Sequence, residues 1–114
     1  MEWNHLTETE EINKIKEESY VQAVLLFKHS TRCSISSVAL SRFEKAWQNV
    51  VESNSIKPYM INVIKDRPVS NYIAEVWKIR HESPQALLIK DGECKYHASH
   101  FEIDINEVVG SFRV

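Results

Sequence analysis

The five residues Ala23-Val24-Leu25-Leu26-Phe27 are apolar without alternation. Successive side chains of a strand point to opposite faces, so a run with no polar member must be covered on both sides. Such a strand belongs in the middle of an α/β sheet. The next residues tighten the constraint. Beyond the polar stretch Lys28-His29-Ser30-Thr31-Arg32-Cys33, the residues Ile35, Val38, Ala39, Phe43, Ala46, Trp47 and Val50 recur at helical spacing with no glycine or proline between them. This predicts a helix over 35–51. A buried strand, a short polar turn and a long helix therefore meet at one cysteine, and Phe43 and Trp47 read as core.

The remaining segments build around that unit. A short strand is expected within 2–6, and Thr7 with Glu10 three residues on fits a capping box for a charged helix ending near Ser19, with Ile12 and Ile15 as its apolar stripe. Pro58 admits a strand over 59–64, parallel to the first because a helix separates them. Asp66 and Pro68 mark a third helix with Val69, Tyr72, Ile73, Val76 and Trp77 inward and Lys78 and Arg80 at its tail. Two strands around Asp91-Gly92 make a hairpin, in which alternation turns Cys94, Tyr96 and Ala98 to one face. Asp104 caps a last helix with Ile105, Val108, Val109 and Phe112 inward. Parallel crossovers followed by an antiparallel hairpin give an α/β fold, a central mixed sheet flanked by helices on both faces.

With 114 residues, 43% hydrophobic and no linker, the chain is expected to form a single domain over 1–114 with a sizeable core. Fourteen basic against 16 acidic side chains, without a basic stripe, speak against nucleic acid. Met1-Glu2-Trp3-Asn4-His5 lacks the pattern of a signal peptide, and no apolar stretch is long enough to span a membrane, so a cytoplasmic location is expected. Cys33 and Cys94 lie far apart, and His81, His97 and His100 are scattered, so neither a disulfide framework nor a metal site is indicated.

Cys33 is the candidate nucleophile. It opens a helix, where unpaired N–H groups and the macrodipole favour a negative charge, and Lys28, His29 and Arg32 surround it with positive charge. Cys94, in a strand, reads as a structural thiol.

The stretch Phe27-Lys28-His29-Ser30-Thr31-Arg32-Cys33-Ser34-Ile35-Ser36 resembles the active-site signature of the monothiol bacilliredoxins, the YtxJ-like general stress proteins, and the order of elements resembles the thioredoxin fold over essentially the whole chain. The resemblance implies an oxidoreductase that removes bacillithiol from S-bacillithiolated client proteins through a Cys33–bacillithiol mixed disulfide. Bacillithiol is then the thiol co-substrate, no cofactor is tightly bound, and a bacillithiol disulfide reductase sustains the thiol pool. Ser36 stands where dithiol relatives keep a resolving cysteine. Its hydroxyl either supports the Cys33 thiolate or satisfies backbone groups near the helix start. Pro84 would be the cis-proline opposite the cysteine, with the Ser83 backbone free to pair with a substrate segment. Lys28, His29 and Arg32 would bind the carboxylates of bacillithiol. Ser34, where many related sites have proline or glycine, departs from the pattern. The alternative is a non-catalytic sensor or adaptor in which Cys33 carries bacillithiol as a reversible mark. A glutathione-linked glutaredoxin would share the chemistry but not the thiol.

Overall fold

In the computed structural model, which describes residues 1–114, the apolar run lies inside strand β2 (Ala23–His29), at the centre of a five-stranded sheet. Residues 24–28 of β2 are all completely buried. Strands β1 (Asn4–His5), β3 (Ile56–Asn62), β4 (Gln85–Lys90) and β5 (Glu93–Ser99) complete the sheet in the order β1-β3-β2-β4-β5. The β3–β2 pair is parallel and the β4–β5 hairpin antiparallel, as the sequence predicts, and the structure adds a parallel β1–β3 pair and an antiparallel β2–β4 pair.

Because β2 is apolar on both faces, each face needs its own helical layer. On one side α1 (Glu10–Glu18) and α3 (Arg67–Trp77) set Ile12, Ile15, Val69 and Ile73 against Val24, Leu26, Leu87 and Ile89. On the other, α2 (Ser34–Trp47) and α4 (Ile105–Arg113) set Phe43, Trp47, Ile105 and Val108 against Leu25, Phe27, Ala86 and Leu88. The Trp3 and Phe43 rings pack on Phe27 with centroids 5.6 and 5.5 Å away, and Trp47 continues the row 5.8 Å from Phe43.

Several boundaries differ from expectation for local reasons. Helix α1 starts at Glu10, and Glu11 rather than Glu10 reaches back, accepting from the Thr7 and Glu8 N–H groups at 3.4 and 3.2 Å. Helix α2 stops at Trp47, where Asn49 folds its amide onto the Lys45 carbonyl and a 3₁₀ turn over Val51–Ser55 leads into β3. Strand β3 begins at Ile56, so Pro58 lies inside it. The missing N–H costs nothing, because β1 reaches no further than Tyr59 and leaves β3 as an edge there. Helix α3 ends at Trp77, and Lys78, in the left-handed conformation with φ 58°, caps it, so neither Lys78 nor Arg80 is helical. Asp104 caps α4 as expected, accepting from Asn106 N–H at 2.8 Å.

The hairpin turn Asp91-Gly92 has φ 55° and 77°, the type I′ geometry that suits antiparallel strands. It is also tied to the helices: Gly92 N–H donates to Ser19 Oγ at 2.8 Å, and Trp77 Nε1 donates to the Gly92 carbonyl at 3.1 Å. A Cβ on Gly92 would come within 2.8 Å of Tyr20 Cζ, but that ring is 58% exposed and can swing away. Gly92→Ala is therefore expected to destabilise by about 1–2 kcal/mol, the cost of a left-handed alanine. Urea titration checks this, and an unchanged midpoint would contradict it.

One sequence expectation fails in the hairpin. A β-bulge between Leu88 and Ile89 leaves Lys95 without a partner, since Ile89 pairs with Cys94 and Leu88 with Tyr96. An extra residue reverses the alternation. Cys94 therefore packs in the α1/α3 layer, while Tyr96 packs in the α2/α4 layer.

Candidate active site

The end of β2, the start of α2 and the segment before β4 converge at one end of the central strands. β2 finishes at His29, whose carbonyl accepts from Val63 N–H at 3.0 Å. The Ser30 carbonyl accepts from Cys33 N–H at 3.3 Å, closing a turn, and Cys33 then takes the N-cap position of α2 in extended conformation, φ −116° and ψ 118°. Its carbonyl receives the first helical bond, from Ser37 N–H at 3.2 Å. Cys33 is half-buried, and its Sγ makes no hydrogen bond within the chain. The N–H groups of residues 34–36 have no partner within the chain either, as the opening turn of a helix requires.

Ser36 is fully buried one turn along. Its Oγ accepts from Ser30 N–H at 3.0 Å and lies 2.7 Å from His29 Nδ1. Burial lowers the His29 pKa against the opposing pull of Glu44, which favours the uncharged imidazole, and its Nδ1 and the Ser36 hydroxyl are hydrogen-bonded to each other. Of the two readings of Ser36, this geometry is that of a brace, tying the turn after β2 to the start of α2. The same bond occupies one nitrogen of His29, and neither nitrogen is bonded to Cys33.

The polar neighbours separate. Arg32 is exposed beside Cys33 and forms no ion pair. Lys28 is not at the surface at all: it points to the α1/α3 side of the sheet with no exposed area, donates to the Ser70 carbonyl at 3.0 Å, and lies 3.1 Å from His81 Nδ1. The expectation that Lys28 binds bacillithiol carboxylates is corrected by this burial, and so is the alternative of a solvated charged loop, since a strand's alternation turns Lys28 away from the side that carries α2. Ile35 and Val38, expected in the buried stripe of α2, are 42% and 48% exposed, and Ser36 faces inward beside Ala39, which is buried as expected.

The Ser83–Pro84 peptide bond is cis. The register pairs Lys28 with Gln85, which sets Pro84 beside the end of β2 at His29. Pro84 is buried, and its carbonyl accepts from His100 N–H at 2.9 Å. Ser83 makes no backbone hydrogen bond within the chain, and its Oγ is buried without a partner. Sequence reading missed the buried Ser70 and Gln85 and the half-buried His81 as polar neighbours of Lys28. The one signal was a lysine directly abutting an apolar run.

Cys94 stands apart. It pairs with Ile89, which pairs with Val24, so about 17 Å of strand separates it from His29 at ~3.3 Å per residue. A disulfide to Cys33 would need Cα atoms within about 7 Å. Burial pushes the Cys94 thiol up to about 11, and its Sγ donates to the Tyr96 carbonyl at 3.3 Å. Iodoacetamide is accordingly expected to stop at one adduct per native chain at pH 8, with the second appearing near pH 11 or in denaturant. Mass spectrometry reads both, and two adducts at pH 8 would overturn the assignment. No three His, Cys, Asp or Glu side chains are grouped to hold a metal ion.

A single thiol at the cap of the helix after the central strand, with a cis-proline beside it, is a thioredoxin-type arrangement without the second cysteine. The family model of the monothiol bacilliredoxin BrxC matches residues 4–108. The chain belongs to the monothiol bacilliredoxin family. It is similar to a solved structure described as a proposed oxidoreductase with a thioredoxin fold, with a TM-score of 0.79 and 28% identity over 96% of this chain and 92% of that one. Thioredoxin from Malassezia sympodialis shares the fold at a TM-score of 0.72 and 12% identity, covering 98% of this bacilliredoxin and 89% of that chain. Mitochondrial thioredoxin 3 from Saccharomyces cerevisiae does so at 0.72 and 12%, covering 98% and 95%. The bacilliredoxin is thus a thiol–disulfide oxidoreductase of thioredoxin fold that works with thiol-based redox partners. No helix in it is long and apolar enough to cross a membrane.

Proposed function

We propose that this bacilliredoxin strips bacillithiol from S-bacillithiolated proteins, with Cys33 as the attacking thiol. The observation that carries the reading is the isolation of Cys33: its Sγ is unbonded at the cap of α2, Ser36 stands where a resolving thiol would be, and Cys94 lies at the other end of the sheet. A Cys33 thiolate beside unpaired helix N–H groups and Arg32 attacks the bacillithiol sulfur of the mixed disulfide. The client–bacillithiol S–S bond breaks, the client leaves as a thiolate and takes up a proton, and Cys33 keeps bacillithiol in a new disulfide. With no internal thiol in reach, a second bacillithiol thiolate attacks that disulfide, freeing Cys33 and forming bacillithiol disulfide. The client sulfur is reduced at the expense of the second bacillithiol alone, and a bacillithiol disulfide reductase, fed by an external two-electron reductant, returns both bacillithiols to the thiol pool. Bacillithiol is a co-substrate here, with nothing held tightly between turnovers.

Arg32, exposed beside the thiol, is suited to a bacillithiol carboxylate, and His29 braces the loop from below. Ser83 offers the client a free backbone N–H and carbonyl. Backbone pairing fits clients of varied sequence. A model protein carrying a bacillithiol mixed disulfide, followed by intact mass, is expected to pass 1 equivalent to wild type and to Cys94→Ser alike. No transfer to either, with Cys33 still open to alkylation, would replace the enzyme by a sensor or adaptor.

A further inference from the structure

Thiol exchange at Cys33 leaves one buried cation unused. Lys28 lies five residues before Cys33, has no exposed area and forms no ion pair. A buried ammonium without a counter-charge is costly, so its partners must matter. They belong to two other segments. Nζ donates to the Ser70 carbonyl in the first turns of α3 at 3.0 Å and lies 3.1 Å from His81 Nδ1. Ser70 Oγ lies 3.1 Å from the same nitrogen.

This geometry dictates a tautomer. An ammonium has donors and no acceptor, and with a pKa lowered by burial to about 8 Lys28 is largely protonated at pH 7. His81 Nδ1 must then present its lone pair, shared by Lys28 and the Ser70 hydroxyl, and the ring proton sits on Nε2. Burial, then the charges of Lys28 and Arg67, oppose a second proton against the weaker pull of Glu82. A further tie acts one residue earlier. Gln85, 1% exposed and opposite Lys28 in the β2–β4 register, donates Nε2 to the Arg80 carbonyl at 2.9 Å. Side chains of the two central strands therefore hold Arg80 and His81, just before Ser83.

We propose that Lys28 is a positioning residue: its ammonium fixes His81 as the Nε2–H tautomer and so pins the segment Arg80–Ser83 at the end of the central strands where Ser83 meets the client backbone. This rests on the assignment of Ser83 to client binding. Lys28 touches neither substrate nor Cys33, so its loss acts on recognition and leaves the thiol chemistry intact.

Two readouts test it. Nitrogen-15 NMR of labelled histidine, with the His81 signals assigned by His81→Asn, is expected to show Nε2 protonated and Nδ1 bare in wild type at pH 7, and a mixture in Lys28→Met. For a bacillithiolated protein substrate, Lys28→Met is expected to raise KM about tenfold, the scale of one lost hydrogen bond, with kcat and the rate of Cys33 alkylation within about twofold. His81→Leu, which lacks the acceptor, should match it. His81→Asn places an amide oxygen where Nδ1 was and should hold KM within about threefold. If Lys28→Met does not fold, the two His81 variants carry the comparison alone. An unchanged KM in the folded Lys28→Met and His81→Leu proteins, or a wild-type His81 protonated on Nδ1, overturns the proposal. Wild type that shows the expected tautomer but transfers no bacillithiol overturns the functional reading instead, because the NMR signature is independent of activity.

Discussion

Cys33→Ser is expected to abolish bacillithiol transfer, lowering its rate by at least about a thousandfold, the scale of losing a covalent nucleophile. A hydroxyl cannot attack the disulfide at neutral pH, and no second group can take over. Ser36 is buried and engaged by His29 and Ser30, and Cys94 is remote and held as a thiol by burial. The fold should survive the change. Cys33 is only half-buried, its Sγ has no partner, and serine is among the best residues at a helix N-cap. Equal urea midpoints for Cys33→Ser and wild type, with transfer lost, separate a chemical role from a structural one. Transfer retained by Cys33→Ser would remove Cys33 from the mechanism.

The largest effect on stability is expected at Phe27. Its ring is completely buried in β2, meeting Trp3 at an interplanar angle of 60° and Phe43 at 55°. Phe27→Ala leaves a cavity under α2 that neither the sheet nor the helix can collapse to fill. The cost should be about 3–5 kcal/mol. Set against about 5–15 kcal/mol for a domain of this class, that removes at least about a fifth of the stability. Because Phe27 lies two residues before His29, the loosening should also reach the brace between His29 and Ser36. Urea unfolding followed by tryptophan fluorescence checks the value through Trp3 and Trp47, which sit in the same cluster. A loss below about 1 kcal/mol at constant m-value would show that the ring is not the keystone of this layer.

Sequence alone determined the order of elements, the depth of β2, the placement of Cys33 at the start of α2 and the turn at Asp91-Gly92. Each depends on a local signal: an unalternating run, a helical period, or a residue pair with a preferred turn. Tertiary structure decided the rest, because the deciding partners are far away in the chain. Lys28 reads as one of several basic residues near a cysteine until Ser70 and His81, 42 and 53 residues on, enclose it. Cys94 and Tyr96 read as neighbours on one face until the bulge turns them apart. Ile35 and Val38 fit an apolar stripe, yet the opening turn of α2 directs Ser36 inward, where His29 and the Ser30 backbone supply the hydrogen bonds that a buried hydroxyl needs. Periodicity identifies an apolar face, but only the packed neighbours decide which polar atoms find partners there.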